Sequence, residues 1–165
     1  MSNSSSRPPD QDVVERPASR VLLFDRADRL LLMRSRVFGA WFTIGGAIEP
    51  GESAREAAAR EIVEETGFTD AVLGPQVWYG EEMFPLFGRM TLTRDHYFVA
   101  RCKGGEPSRA AWTALELEVT DDIRWWRLAD LARYKDVVYP IGLAELAVEI
   151  AKGVYPKTPR VIARL

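Results

Sequence analysis

Residues 45–68 read GGAIEPGESAREAAAREIVEETGF, a glycine-rich loop followed directly by a helix-forming run. Ser53 and Glu56 have the spacing of a capping box, in which two side chains satisfy backbone amides at a helix start. Gly67 follows the run as a helix stop. The spacing therefore predicts a helix over residues 53–66. It opens out of a loop whose glycines let the backbone approach a charged ligand closely.

Three carboxylates on this helix, Glu61, Glu64 and Glu65, recur at the spacing of a single face. They repel one another and lie near the helix end that disfavours anions. We predict an open acidic face. The opposite, apolar face is predicted to contain Ala59, Ile62, Val63 and Thr66. A solvated acidic surface is the plain alternative, but the adjoining loop favours a Mg²⁺ or Mn²⁺ site, since these ions prefer carboxylate and carbonyl oxygens.

The same stretch resembles the Nudix box, the signature of the Nudix hydrolase family. That box is a glycine, five residues, Glu, seven residues, Arg-Glu-apolar, any residue, Glu-Glu, any residue, and Gly-apolar. The matching residues are Gly46, Glu52, Arg60, Glu61, Ile62, Glu64, Glu65, Gly67 and Phe68. Phe68 is a mild variant, and Ile44 stands where many members have proline. The resemblance extends less closely over residues 20–151.

The resemblance implies an α/β (α+β) fold, a Nudix-like α/β/α sandwich with a central mixed β-sheet. Apolar runs and turn residues agree with this expectation. Residues 21–24 and 30–33 predict a hairpin of buried strands. Further strands are predicted near residues 41–44, 72–82, 91–102 and 122–126, and further helices over residues 128–134 and 141–151.

The resemblance also implies roles for the residues of the box. Glu61, Glu64 and Glu65 would bind the metal, helped by a backbone carbonyl of Gly45 or Gly46. Glu61 either binds the metal or activates the attacking water. Arg60 would hold a carboxylate by a bidentate ion pair, and we assign that carboxylate to Glu52. The predicted catalytic set is Glu61, Glu64, Arg60 and Glu52.

Contacts outside the box are predicted from residue type alone. The candidate substrate contacts are Arg26, Arg34, Trp41, Glu81 and Glu118. An additional base or metal ligand from a later loop is sought among Glu81, Glu82, Glu116 and Glu118. For each of these residues a structural role is the alternative: core packing for Trp41, and a solvated charge for the others.

The activity that the resemblance implies is divalent-metal-dependent hydrolysis of a diphosphate linkage in a nucleoside diphosphate derivative, by attack of water on phosphorus. Mg²⁺ is the expected cofactor and Mn²⁺ the alternative. A nucleoside triphosphate, a nucleotide sugar and a dinucleotide stay open as substrates. Two other functions stay open: removal of the 5′ pyrophosphate from RNA, and a non-catalytic nucleotide sensor, which an intact box disfavours. Since many members dimerise, a homodimer is expected.

Composition limits the remaining possibilities. The chain has 165 residues, which suits one domain, and a formal charge of −2, which disfavours binding of a large nucleic acid. One Cys and one His are too few for a disulfide or a multi-cysteine zinc site. Residues 1–17, rich in Ser and Pro, are predicted to be a disordered tail, and residues 18–165 a single domain. No apolar run suits a membrane span or a signal peptide, so a cytoplasmic protein is expected.

Overall fold

The structure, a computed structural model, describes residues 13–86 and 88–163. The strands within these ranges are β1 (Val14–Phe24), β2 (Leu30–Ser35), β3 (Ala40–Ala47), β4 (Val72–Leu86), β5 (Arg89–Arg101), β6 (Thr120–Trp126), β7 (Val138–Tyr139) and β8 (Arg160–Val161). The helices there are α1 (Ala54–Thr66), α2 (Ala114–Val119), α3 (Leu128–Leu131) and α4 (Leu143–Ala151). The strands form one mixed sheet in the order β6-β2-β3-β1-β5-β4-β8, with β7 paired to β3.

Strand β1 organises the sheet because it pairs with three others. It is antiparallel to β2, where Phe24 faces Leu30, which confirms the predicted hairpin. It is also antiparallel to β3 over Ala18–Val21. With β5 it is parallel along its whole length. Its apolar run is continuous because both faces of the sheet are covered.

Two hydrophobic cores lie on opposite faces of the sheet. On one face α1 packs over Val21, Leu23 and Ile44. On the other face α4 packs over Leu22 and Trp41. Alternate β1 side chains therefore enter alternate cores, as the twofold period of a strand requires. This arrangement confirms the predicted sandwich with a central mixed sheet.

The predicted boundary of the N-terminal tail is wrong by a few residues. Strand β1 begins at Val14, and its parallel pairing with β5 runs from Val14 beside Thr91 to Pro17 beside Arg94 and onward. The local composition of residues 14–17 gives no sign of this partner, which lies almost 80 residues further along the chain. Residues 1–12 lie outside the described residues.

The helices after β6 are shorter than predicted. Helix α3 ends at Leu131, and α4 begins at Leu143, after Gly142 as its N-cap residue. Helix α2 and strands β7 and β8 were not predicted, since each is too short to show a period. None of the helices in the described ranges has the length and apolarity needed to cross a bilayer.

Candidate active site

Helix α1 begins and ends where the sequence predicts, but its orientation differs. Ser53 and Glu56 form the capping box, and Gly67 ends the helix in the left-handed conformation. The predicted apolar face is confirmed for Ile62 and Thr66, which are buried, but it is wrong for Ala59, which is exposed, and for Val63, which is 47% exposed. The buried stripe instead consists of Ala57, Ala58, Glu61, Ile62, Glu65 and Thr66. Two of the three carboxylates therefore point at the sheet.

Two glycines on β3 receive these carboxylates. The Gly45 amide donates a hydrogen bond to Glu65 Oε2 at 2.7 Å. A Cβ atom on Gly46 would overlap the Glu61 carboxylate and lie 2.8 Å from its Cδ. Glycine at this position is therefore what lets Glu61 lie directly against the β3 backbone.

Arg60 makes the predicted bidentate ion pair and two further ones. Its Nε lies 2.8 Å from Glu52 Oε1, and its Nη2 lies 3.0 Å from Glu52 Oε2. Its Nη1 donates to Glu61 Oε1 at 2.8 Å and to Glu64 Oε2 at 3.0 Å. The hydrogen bond from Arg60 is the main reason that the pKa of Glu52 falls to about 2. One guanidinium thus holds three carboxylates of the box.

Burial opposes ionisation of the two carboxylates that face β3. It raises the pKa of Glu61, although Arg60 acts in the opposite direction. Burial and the negative charge of Glu61 together raise the pKa of Glu65 to about 8, despite the hydrogen bond from the Gly45 amide. Without a further cation the site therefore carries less negative charge at neutral pH than its composition suggests.

A further carboxylate, from outside the box, acts on the site. The negative charge of Glu116, on α2, contributes to the raised pKa of both Glu61 and Glu65. The segment before α2 is held against α1, since Trp112 Nε1 donates to the Glu65 backbone carbonyl at 2.8 Å. Thr113 and Glu116 form a second capping box, a sequence signal by which α2 could have been found.

The donor set suits a hard divalent cation. Carboxylate and carbonyl oxygens are its preferred ligands, and a cation would offset the buried negative charge. The residues that could hold it are those predicted: Glu61, Glu64, Glu65, Gly45 and Gly46. In the described part of the chain, no three Asp, Glu, His or Cys side chains are grouped as ligands of one ion. Arg60 holds Glu61 and Glu64 in this arrangement, while Glu65 is bonded to the Gly45 amide.

Two predicted substrate contacts already have partners within the protein. Trp41 is 1% exposed and its Nε1 donates to Tyr134 Oη at 3.2 Å, so the prediction that it contacts substrate is wrong. It is buried because α4 covers that face of β3. Arg34 forms an ion pair of 2.6 Å with Asp121.

The other three predicted contacts lie on the surface. Glu81, on β4, accepts hydrogen bonds from Tyr79 and from Arg94 Nε. Arg26 is exposed on the β1–β2 turn, and Glu118 is exposed on α2. Residue type alone had suggested all three, and the structure adds no contact that supports them.

Arg20 lies beside the site although no sequence pattern predicted it there. In the β1–β3 pairing Arg20 lies opposite Gly45. Its Nη1 is 3.4 Å from the Gly45 carbonyl oxygen, and its Nε is 3.4 Å from Asp95 Oδ1. A charged residue directly before an apolar strand run was the available signal, but the same pattern is common at strand ends.

These features define a class of protein: a mixed sheet between helices, with the carboxylates of one helix held against a Gly-Gly strand end. The NUDIX domain model matches residues 14–143, and the chain belongs to the Nudix family. Nudix hydrolases generally use divalent metal ions. A Nudix-family hydrolase from Clostridium perfringens shares the fold, with a TM-score of 0.62, 17% identity, and coverage of 86% of this chain and 99% of that one.

Three relatives are similar in sequence. A Bacillus subtilis (strain 168) protein provisionally named 8-oxo-dGTP diphosphatase is 42% identical over 86 residues, which are 52% of this chain and 53% of that protein. The oxidized purine nucleoside triphosphate hydrolase of Danio rerio is 33% identical, covering 66% of this chain and 75% of that protein. The NAD-capped RNA hydrolase NudC of Stutzerimonas stutzeri (strain A1501) is 32% identical, covering 68% and 37%. The chain thus spans about half of the Bacillus subtilis protein and less than half of the NudC protein.

Proposed function

We propose that this protein is a divalent-metal-dependent pyrophosphohydrolase, which hydrolyses a diphosphate linkage in a nucleoside diphosphate derivative by attack of water on phosphorus. The observation that carries the proposal is the placement of Glu61 and Glu65 on the Gly45–Gly46 backbone, with Arg60 pairing Glu52 beside them. The end of β3, the following loop and α1 are brought together there around buried negative charge.

The metal, Mg²⁺ or alternatively Mn²⁺, would be held by Glu61, Glu64 and Glu65 with a carbonyl of Gly45 or Gly46. When bound, it neutralises phosphate charge and makes a water more acidic. Arg60 keeps Glu52 as its partner and orients the carboxylates beside it. The side chain of Glu61 accepts a proton from water more readily than an exposed carboxylate, because burial raises its pKa.

Water suits the site better than a protein nucleophile. His96, the chain's one histidine, lies on β5, with Nδ1 3.4 Å from Gln76 Oε1 and its ring against Tyr79. Cys102 is buried, and burial raises the pKa of its thiol. Neither side chain is a ready nucleophile, and phosphoryl transfer depends mainly on positioning and charge neutralisation.

A purine nucleoside triphosphate, including oxidised forms, is the favoured substrate. The names of the Bacillus subtilis and Danio rerio relatives support it, since both act on oxidised purine nucleotides according to those names. A dinucleotide of the NAD type is the second candidate, and the NudC relative supports it. Both contain a diphosphate linkage, so the proposed chemistry is the same.

The test is a nucleotide screen followed by one substitution. Released phosphate is measured after a coupled phosphatase, with 8-oxo-dGTP, dGTP, a nucleotide sugar and NAD⁺, each with Mg²⁺ and with EDTA. On the best substrate, Glu61→Gln is expected to lower kcat at least ~10²-fold, as loss of a general base or metal ligand does. Gln is nearly isosteric and a good helix former, so the fold is retained.

Glu56→Gln is the matched control on the same helix. Glu56 belongs to the capping box and is exposed, so its loss costs a little stability and little turnover. Equal, small losses of kcat in both variants would mean that the acidic residues of α1 are not catalytic. Tight nucleotide binding without turnover in the wild type would indicate a sensor instead.

A further inference from the structure

Arg20 and Asp95 form a buried ion pair at the edge of the candidate site. The Asp95 side chain is fully buried, and that of Arg20 is 20% exposed. Arg20 lies on the same face of β1 as Leu22, since strand side chains alternate. It therefore stands at the polar end of the core that α4 covers.

The Arg20 guanidinium contacts Gly45, the same β3 residue that holds Glu65. Its Nη1 lies 3.4 Å from the Gly45 carbonyl oxygen, while the Gly45 amide donates to Glu65 at 2.7 Å. The positive charge of Arg20 acts on Glu65 across this residue and partly offsets the burial of that carboxylate. Arg20 and Glu65 thus contact the two polar backbone atoms of Gly45.

Both contacts of Arg20 are long for charge-assisted hydrogen bonds, which are usually about 2.7–2.9 Å. A guanidinium has five N–H donors in a fixed fork. The Arg20 side chain is 20% exposed, and it approaches the Gly45 carbonyl, one of the two backbone oxygens that the proposed function offers to the metal. A buried ion pair alone is weak grounds for stability, because desolvation offsets the attraction.

We propose that Arg20 is a substrate-binding residue that donates hydrogen bonds to a non-bridging phosphate oxygen of the diphosphate, with Asp95 orienting its guanidinium. A diphosphate held at the carboxylates would reach this cation beside Gly45, which both Arg20 and Glu65 contact. The fork geometry suits phosphate oxygens, and Asp95 keeps the side chain from turning toward solvent. This inference rests on the proposed function, since it names a residue that binds the same substrate.

The first test replaces both members of the pair, because Arg20→Gln alone would remove the ion pair of the buried Asp95 carboxylate. In Arg20→Gln/Asp95→Asn, both charges are removed while polar side chains are kept. Binding of α,β-methylene-ADP with Mg²⁺ is measured by calorimetry, beside kcat and KM for the substrate found in the screen. We expect Kd and KM to rise about 10- to 100-fold, as the loss of a charge-assisted hydrogen bond implies.

Arg29 offers a matched control. It forms an ion pair of 2.7 Å with Asp25, which is also buried, but on the β1–β2 turn beyond the end of β1. Arg29→Gln removes an arginine from a buried aspartate there, so it is expected to change thermal stability without changing Kd. Arg20→Lys keeps the ion pair and provides the test if the double variant does not fold. A point charge in place of the fork is expected to raise Kd several-fold.

Unchanged Kd and KM in folded Arg20→Gln/Asp95→Asn, with only a shift in melting temperature, would show that the pair is structural and overturn the proposal. Unchanged Kd in Arg20→Lys would have the same meaning if only that variant folds. A wild-type protein that neither binds nor hydrolyses any nucleotide would overturn the proposed function and this inference together. Because that outcome is seen in the wild-type protein without any variant, failure of the proposed function is distinguishable from failure of the Arg20 proposal alone.

Discussion

Glu65 is 6% exposed, as is Glu61, although carboxylates normally remain in water. Each has a partner: Glu65 accepts from the Gly45 amide, and Glu61 accepts from Arg60. These single partners do not cancel the cost of burial, because the pKa of each carboxyl stays raised. The burial of Glu61 and Glu65 is therefore incompletely compensated, and a bound cation would compensate it.

The raised pKa of these buried carboxyl groups predicts that stability depends on pH. In EDTA, the free energy of unfolding should fall as pH rises from about 5 to 8. Glu65 ionises near 4.5 in the unfolded chain but only near 8 in the folded one, so the folded state binds more protons in that window. One such proton limits the slope to about 1.4 kcal/mol per pH unit. Urea unfolding at stepped pH measures it.

Glu65→Gln should reduce that slope and raise stability at pH 8, while Glu56→Gln should leave the slope intact. A residual slope is expected in Glu65→Gln, because the raised pKa of Glu61 acts in the same direction. Saturating Mg²⁺ should diminish the slope in the wild type, since the metal binds ionised carboxylates. A Glu65→Gln variant with the wild-type slope would contradict the buried, protonated state.

At the scale of elements, the contact between α1 and the end of β3 defines the site. Helix α1 is capped at both ends, so its length does not depend on the sheet. Its orientation does depend on the sheet, and the Ser19 hydroxyl of β1 donates to the Ala54 carbonyl at its first turn. The glycines of β3 then permit the carboxylates to approach the backbone.

The two glycines predict contrasting effects of alanine. Gly45 has φ of 132°, and a Cβ there would overlap the Ser19 carbonyl oxygen and lie 2.9 Å from Arg20 Cα. Gly45→Ala must therefore separate β1 from β3, and should lower the free energy of unfolding by more than about 2 kcal/mol.

At Gly46 a Cβ would instead meet the end of the Glu61 side chain, which can move. Gly46→Ala should therefore cost less than about 1 kcal/mol of stability while lowering kcat about 10-fold or more, since Glu61 is displaced. Urea unfolding and turnover of both variants test the contrast. An inactive Gly45→Ala of wild-type stability, or a fully active Gly46→Ala, would contradict it.

On the scale of the whole molecule, β1 joins the two cores and the site. Its centre contributes Val21 to one core and Leu22 to the other, while Arg20 lies opposite Gly45. Its first residues continue the parallel pairing with β5, where Thr91 and Thr93 are buried. The N-terminal part of β1 is therefore part of the domain.

Two truncations test this boundary. A chain lacking residues 1–17 should be less stable than one lacking residues 1–12, because only the former loses the pairing of residues 14–17 with β5 and the ion pair of Glu15 with Arg94. We expect a difference of more than about 2 kcal/mol, or roughly 5 °C in melting temperature at this chain length. Thermal unfolding of the two chains measures it. Equal melting temperatures would contradict the assignment of residues 14–17 to β1.

Several features of this protein follow from its sequence because they depend on neighbours a few residues apart. The capping box of Ser53 and Glu56 and the helix stop at Gly67 determine α1, and the run of apolar residues around a turn determines the β1–β2 hairpin. The ion pair of Arg60 with Glu52 was also predicted, because the spacing of these two residues resembles that of the Nudix box.

Other features were decided only by the tertiary structure, since they depend on partners far along the chain. Packing of α1 on the sheet placed Glu65 against Gly45. It left Val63 exposed, although Val63 was predicted to lie on the buried apolar face. Packing of α4 turned Trp41 into a core residue. Pairing of β1 with β3 brought Arg20 to the site. Periodicity shows which residues share a face of an element, but the surface that covers each face is set by long-range contacts, and those alone decide which charges are buried.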